Sequence, residues 1–236
     1  LEKLLPKNKK LKINKEIIFK DISFSYDNSK NIIKNISLKI NKGDHIGIYG
    51  DTGSGKSTFL DILMGLLPPT KGKMYVDGID VYQNNYQSDW TSNISHVPQN
   101  IFLKEGSIAE NIAFGEDDQS LNLELLKKAA KITQVEQFVQ QTEKGFETMV
   151  GERGIRLSGG QRQRISLARA IYRIRQILVL DEATSALDQE TENLIIRSIL
   201  QNFSNLTIIT VSHRMKSLEN CSRILKVKSN GEILEE

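Results

Sequence analysis

The chain is poor in the residues that staple proteins together. It has a single cysteine, Cys221, so a disulfide framework and a multi-cysteine metal site are both excluded. Of its three histidines, His45 and His96 have no second histidine or cysteine nearby and read as structural or surface residues. Prolines number four, and two of them, Pro68-Pro69, stand together where a helical pattern stops. No apolar run approaches the ~20 residues that a membrane-spanning helix needs. The longest candidates, Ile177–Leu180 and Leu206–Val211, read as buried strands. The basic beginning has no apolar stretch behind it, so no secretory signal is expected. What is present suits a soluble globular protein: 236 residues, 39% hydrophobic and 26% charged. That length buries a sizeable core without cross-links.

The net charge of +3 is unevenly spread. Residues 1–16 hold six lysines (Lys3, Lys7, Lys9, Lys10, Lys12, Lys15) against Glu2 and Glu16, leaving −1 for the remainder. Nucleic-acid binders carry their positive charge on the folded face. Here it sits in a leader, so no nucleic-acid partner is expected. Residues 1–16 read as a linker and residues 17–236 as the folded domain.

Within the domain, residues 17–26 alternate apolar and polar, as a half-buried strand does, and residues 32–41 read as its hairpin partner. His45–Tyr49 is a short apolar run followed by glycines. From Lys56 to Leu67 apolar residues recur at helical spacing. Met74–Val76 reads as a strand and Asp77-Gly78 as a turn. Residues 107–145 show helical patterns and almost no strand signal. A helix from about Gly160 to Arg173, a strand at Ile177–Asp181, a helix at about 190–202 and a strand at Leu206–Val211 follow. Strands alternating with helices imply a parallel sheet.

Three motifs carry chemistry. Gly50, Asp51, Thr52, Gly53, Ser54, Gly55, Lys56 and Ser57, followed by Thr58, fit G-x-x-x-x-G-K-[ST] between an apolar strand and a helix. The glycines let backbone N–H groups close on phosphate oxygens, helped by the helix N-terminus. Lys56 supplies positive charge to the β- and γ-phosphates, and Ser57 offers a hydroxyl to Mg²⁺. Second, the strand Ile177–Leu180 ends in Asp181 and Glu182, at the end where open α/β sheets bind ligands. Alone that pattern is as compatible with structure as with function. After a phosphate loop, Asp181 suits Mg²⁺ and Glu182 suits a water-orienting base. Third, Leu157-Ser158-Gly159-Gly160-Gln161 precedes an arginine-rich helix, with Ser158 placed to cap it. One γ-phosphate does not need two such cradles from one subunit, so each cradle serves a different nucleotide across a two-fold dimer.

At this point the chain resembles the nucleotide-binding domain of ATP-binding cassette (ABC) transporters, from about residue 16 to 234. The resemblance implies an α/β P-loop NTPase (RecA-like) core with a mainly parallel sheet. It also implies an N-terminal antiparallel β subdomain and an inserted helical subdomain at about 101–159. The β subdomain and core would then span 17–100 and 160–236. It assigns Tyr26 to adenine stacking and Gln99, in Val97-Pro98-Gln99, to Mg²⁺ sensing. It assigns Asp188, in Ser185-Ala-Leu-Asp188, to the loop that contacts the opposite site. His213, in Ser212-His-Arg214, is assigned to the γ-phosphate. Ser158, Gly159, Gly160 and Gln161 match the family signature. ATP and Mg²⁺ are the implied cofactors. A second copy of the domain and a transmembrane domain are the implied partners, at the cytoplasmic face of a bacterial-type inner or plasma membrane.

Asn111-Ile-Ala-Phe-Gly115 and Gly151-Glu-Arg-Gly154 resemble exporter-type members. Before Gly151 exporters often carry T-E-V; here Thr148-Met149-Val150 puts Met149 in place of the acid. Ile46–Gly53 and Trp90 look similar to exporters of lipid-linked saccharides or lipids. Peptide, protein or drug export is the alternative cargo. A soluble ABC ATPase acting on nucleic acid or ribosomes is the alternative class. Under the exporter reading the lysine-rich leader is a membrane-proximal tether, placed to meet anionic headgroups.

Overall fold

The computed structural model describes residues 11–27, 31–116 and 121–236. Lys3, Lys7, Lys9 and Lys10 of the basic leader lie outside the described residues. Strands β1 (Glu16–Phe24), β2 (Ile33–Asn41), β4 (Lys71–Val76) and β5 (Ile79–Asp80) form an antiparallel sheet ordered β2-β1-β4-β5. The second sheet has six strands, ordered β10-β9-β3-β8-β7-β6. These are β3 (His45–Gly50), β6 (Ile94–Val97), β7 (Ile177–Asp181), β8 (Thr207–Val211), β9 (Arg223–Val227) and β10 (Ile233–Glu235). All its pairings are parallel except β9 with β10. Its central strands β7 and β8 are rich in β-branched residues and buried on both faces, as parallel strands between layers must be.

Period-two alternation divides the core. Ile177, Val179, Ile209 and Val211 point to one side, against α1 (Lys56–Leu63) and the antiparallel sheet. Leu178, Leu180 and Ile208 point to the other. There they meet α6 (Gly159–Tyr172), α7 (Gln189–Asn202) and the small helices α3 (Ile108–Ile112), α4 (Leu123–Ile132) and α5 (Val135–Val139). Helix α2 (Tyr86–Thr91) seats Trp90 in the first core, where its indole N–H donates to the Leu63 carbonyl at 2.7 Å. Trp90 is thus a packing residue.

Two local expectations change. α1 stops at Leu63, not Leu67, because Gly65 adopts φ +76° and the last carbonyls find tertiary donors. Trp90, Thr91 and Gln87 donate to the carbonyls of Leu63, Met64 and Gly65. The linker is docked from Leu11 onward. Leu11 and Ile13 are buried, and Ile13 exchanges two hydrogen bonds with the Gln176 side chain. The N–H groups of Asn14, Lys15 and Glu16 all donate to the Asp77 carboxylate, at 2.6, 2.9 and 2.8 Å. Those bonds hold Asp77 below the usual carboxylate range although burial opposes them.

Candidate active site

The site forms where β3, β7 and β8 end. β3 runs into the loop Gly50–Gly55, and α1 begins at Lys56. Gly50 has no alternative: a Cβ there would stand 2.2 Å from the Val227 carbonyl of neighbouring β9. Gly55, at φ +105°, precedes a helix with no side-chain cap and no acid in its first turn. Its first N–H groups are therefore free for an anion. Ser54 is 2% exposed and its hydroxyl has no hydrogen-bond partner, which fits an incoming phosphate oxygen. The Lys56 ammonium donates to the carbonyls of Gly50 and Asp51 at 2.8 and 2.9 Å. Burial lowers its pKa, while the charges of Glu182, Asp181 and Asp51 push it back up. Beside this loop, a cavity of about 590 Å³ is bounded by Asp51, Thr52, His213, Lys226 and Asn230.

Glu182 is the meeting point. Its Oε2 accepts from the Gln99 amide at 2.8 Å and its Oε1 lies 2.6 Å from His213 Nε2. Three residues separated by 83 and 31 positions thus converge on one carboxylate. Glu182 takes φ +50° and donates its N–H to the Val211 carbonyl at 3.0 Å. The preceding residue, Asp181, is pushed above the usual carboxylate range first by burial and then by Glu182. Such a carboxylate gains from a nearby cation. The Ser57 hydroxyl and the Gln99 amide oxygen are hard oxygen donors of the same kind, and the three together would make a small donor set. That set suits Mg²⁺, which binds through one or two carboxylates plus substrate phosphates. Tyr26 is 68% exposed, stacked edge-on against Phe24, with its hydroxyl 3.4 Å from Thr58 Oγ1. Its ring is free to accept a flat apolar face.

The signature stands apart. Among the described residues no hydrogen bond joins Ser158–Gln161 to Gly50–Thr58. Ser158 caps α6 in a full capping box: its Oγ accepts from the Gln161 N–H, and Gln161 Oε1 accepts from the Ser158 N–H. Asp188 caps α7, accepting from the N–H and hydroxyl of Thr191 at 2.8 and 2.7 Å. Arg162 and Arg164 of the arginine-rich helix are both half-buried. Arg162 donates to the Leu157 carbonyl, while Arg164 lies over the Phe138 ring and donates to the Gln134 carbonyl. Sequence reasoning missed Gln163 and gave Arg214 no role. The Arg214 guanidinium donates to the carbonyls of Ser185 and Leu187. Its only sequence signal was adjacency to His213. His45 is buried against Thr210 and Cys221, and burial pushes the Cys221 thiol up to about 12, which keeps it unreactive.

A family model described as ABC transporter matches residues 33–185, well over half the chain. The chain belongs to the ABC transporter family. It is 39% identical, over its whole length, to the alpha-hemolysin translocation ATP-binding protein of Escherichia coli O157:H7, of which it covers 33%. It is 36% identical over 95% of its length to an ATP-dependent lipid A-core flippase of Alcanivorax borkumensis, covering 38% of that protein. The solved structure of a bacterial Atm1-family ABC exporter with ATP bound superposes with a TM-score of 0.87 at 31% identity, over 97% of this chain and 40% of the other. This ABC domain is an ATPase module, and it spans about a third of the length of these curated relatives.

Proposed function

We propose that this ABC domain binds and hydrolyses MgATP at two composite sites in a head-to-tail dimer, and that attached transmembrane domains convert the cycle into export. The observation that carries the reading is the convergence of Gln99 and His213 on the Glu182 carboxylate beside the phosphate loop. In it, Tyr26 stacks adenine, and the loop from Gly50 to Thr58, with Lys56, wraps the phosphates. Ser57, Gln99 and Asp181 would hold Mg²⁺, which would supply positive charge against the transferred phosphoryl group. Glu182 orients the attacking water and accepts its proton. As the water oxygen bonds the γ-phosphorus, the bond to the β-phosphate oxygen breaks and ADP leaves. His213 fixes the γ-phosphate, and Ser158, Gly159, Gly160 and Gln161 of the second copy close on it, with Asp188 in the loop beside them.

The domain supplies energy and does not touch cargo. Relatives named for toxin translocation, multidrug export and lipid A-core flipping all lie between 36 and 40% identity. Lipid or lipid-linked saccharide remains our cargo reading, with protein, peptide or drug export as the competitor. No helix among the described residues is long and apolar enough to cross a membrane. In this reading, by family membership, the domain sits at the cytoplasmic face, held by the transmembrane part of its transporter. Met149 is exposed in a groove that Ile108, Phe138 and Leu157 share with Glu143, Lys144 and Arg156, so its own contribution to a coupling contact is apolar while charged groups flank it.

Ser158→Arg tests the composite arrangement. It is expected to abolish ATP-dependent dimerisation, read by light scattering, while the monomer still binds ATP with an affinity within about twofold of the parent. Loss of monomer binding would place the signature and the phosphate loop on the same nucleotide and refute the reading.

A further inference from the structure

Gln163 lies on α6, two residues beyond Gln161, and is only 5% exposed. Both ends of its amide are used. Nε2 donates to Ser185 Oγ at 2.9 Å and, at a longer 3.4 Å, to the carbonyl of Glu182. Oε1 accepts from the Ala186 N–H at 2.7 Å. The signature glycines press on the same loop. A Cβ at Gly159 would stand 3.3 Å from Ala186 Cβ, and one at Gly160 3.2 Å from the Ala186 carbonyl oxygen. Arg214 closes the far side through the Ser185 and Leu187 carbonyls. The signature end of α6 and the loop Ser185–Leu187 are therefore packed as one body.

Glu182 sits at the edge of that body in a left-handed conformation, which a glutamate keeps only when its surroundings hold it. β8 holds its N–H, Gln99 and His213 hold its carboxylate, and Gln163 reaches its carbonyl. Of these four anchors, Gln163 alone comes from the helix that begins at the signature.

We propose that Gln163 is a positioning residue that sets Glu182 according to where the signature of the same subunit rests. The inference depends on the composite-site reading. There the signature serves the partner's nucleotide, while Glu182 serves the subunit's own. Engagement at one site thus adjusts the base at the other, and the two sites act as a coupled pair.

Two variants of the 236-residue chain test this. Gln163→Met keeps the volume and removes every polar link. Gln163→Glu keeps an acceptor for the Ala186 N–H and for the Ser185 hydroxyl, but sets an oxygen against the Glu182 carbonyl. Both are expected to lower kcat about tenfold, leave KM and monomer ATP affinity within about twofold, and bring the Hill coefficient for ATP down to about 1. Wild-type kcat and Hill coefficient in Gln163→Glu would overturn the proposal. So would a fall in kcat matched by an equal fall in ATP binding with cooperativity intact, since that is the mark of a merely structural residue. Thermal melting checks the fold, and if Gln163→Met fails to fold the Glu variant carries the test. The parent chain and Glu182→Gln run alongside. A non-cooperative parent with no ATP-dependent dimer would sink the composite-site reading itself. A cooperative parent with unaffected Gln163 variants would sink only the link.

Discussion

Glu182→Gln is expected to bind ATP almost as the parent does and to hydrolyse it about 100-fold or more slowly. The geometry makes this a clean substitution. The glutamine keeps one oxygen to accept from the Gln99 amide, and its own amide can donate to His213 Nε2 in the neutral ring. The side chain therefore stays in place while losing its basicity. Fold and nucleotide affinity are spared because neither Lys56 nor the N–H groups of α1 are touched. With hydrolysis blocked, ATP is expected to accumulate at the interface and hold two copies together. Size-exclusion chromatography with and without ATP reads that dimer, and a phosphate-release assay reads turnover. Turnover near that of the parent would remove Glu182 from the role of base.

Lys56→Ala acts on the other half of the reaction. The ammonium donates to two carbonyls of the loop, Gly50 and Asp51. Its removal takes away the bonds to the loop's opening turn and, in the proposed reading, the charge that meets the β- and γ-phosphates. ATP affinity is expected to fall by about tenfold to a hundredfold, the loss that follows from deleting one charge-assisted hydrogen bond. Melting temperature should change little. The ammonium is a buried charge in the parent, so alanine also relieves a desolvation cost. Calorimetric titration with ATP measures the affinity. Unchanged binding would mean that the loop from Gly50 to Thr58 does not cradle the nucleotide.

The alternating strand and helix patterns located β3, β7 and β8 because these strands are short and apolar, with glycine or acid ending β3 and β7, whereas β9 and β10 were not read from the sequence. Helix α6 falls within a residue of its expected bounds, since Ser158 and Gln161 form a cap written in adjacent letters. What the sequence hid is long-range. The end of α1 depends on Trp90, Thr91 and Gln87, side chains some 25 residues away that take its last carbonyls. The docking of residues 11–15 depends on Asp77 and Gln176. Neither partner carries any local mark.

The candidate site divides the same way. The phosphate loop is contiguous and its glycines are forced by geometry, so spacing alone located it. Gln99 and His213 had meaning only through register with a family, and the fold supplies the reason by bringing both to one carboxylate. Gln163 was invisible because two of its three partners are backbone groups, of Glu182 and Ala186, which any sequence would offer, and the third is the common hydroxyl of Ser185. The lysine-rich leader and the short domain remain a coherent pair in the exporter reading. In that reading the lysines of residues 1–16 suit a membrane surface, while the rest of the chain carries almost no excess charge.

The central claim is that each site is built from the phosphate loop of one copy and the signature of the other. Mixing purified Lys56→Ala with purified Ser158→Arg tests it most directly. Each variant alone is expected to be inactive, since Ser158→Arg does not pair with itself and Lys56→Ala lacks an intact phosphate loop. A mixed dimer joins the intact loop of one copy to the intact signature of the other. Its ATPase activity is expected to rise clearly above that of either variant alone and to stay below about half of the parent's, because each mixed dimer has one good site of two. Activity that stays at the level of the separate variants, with mixed dimers present, would contradict the account.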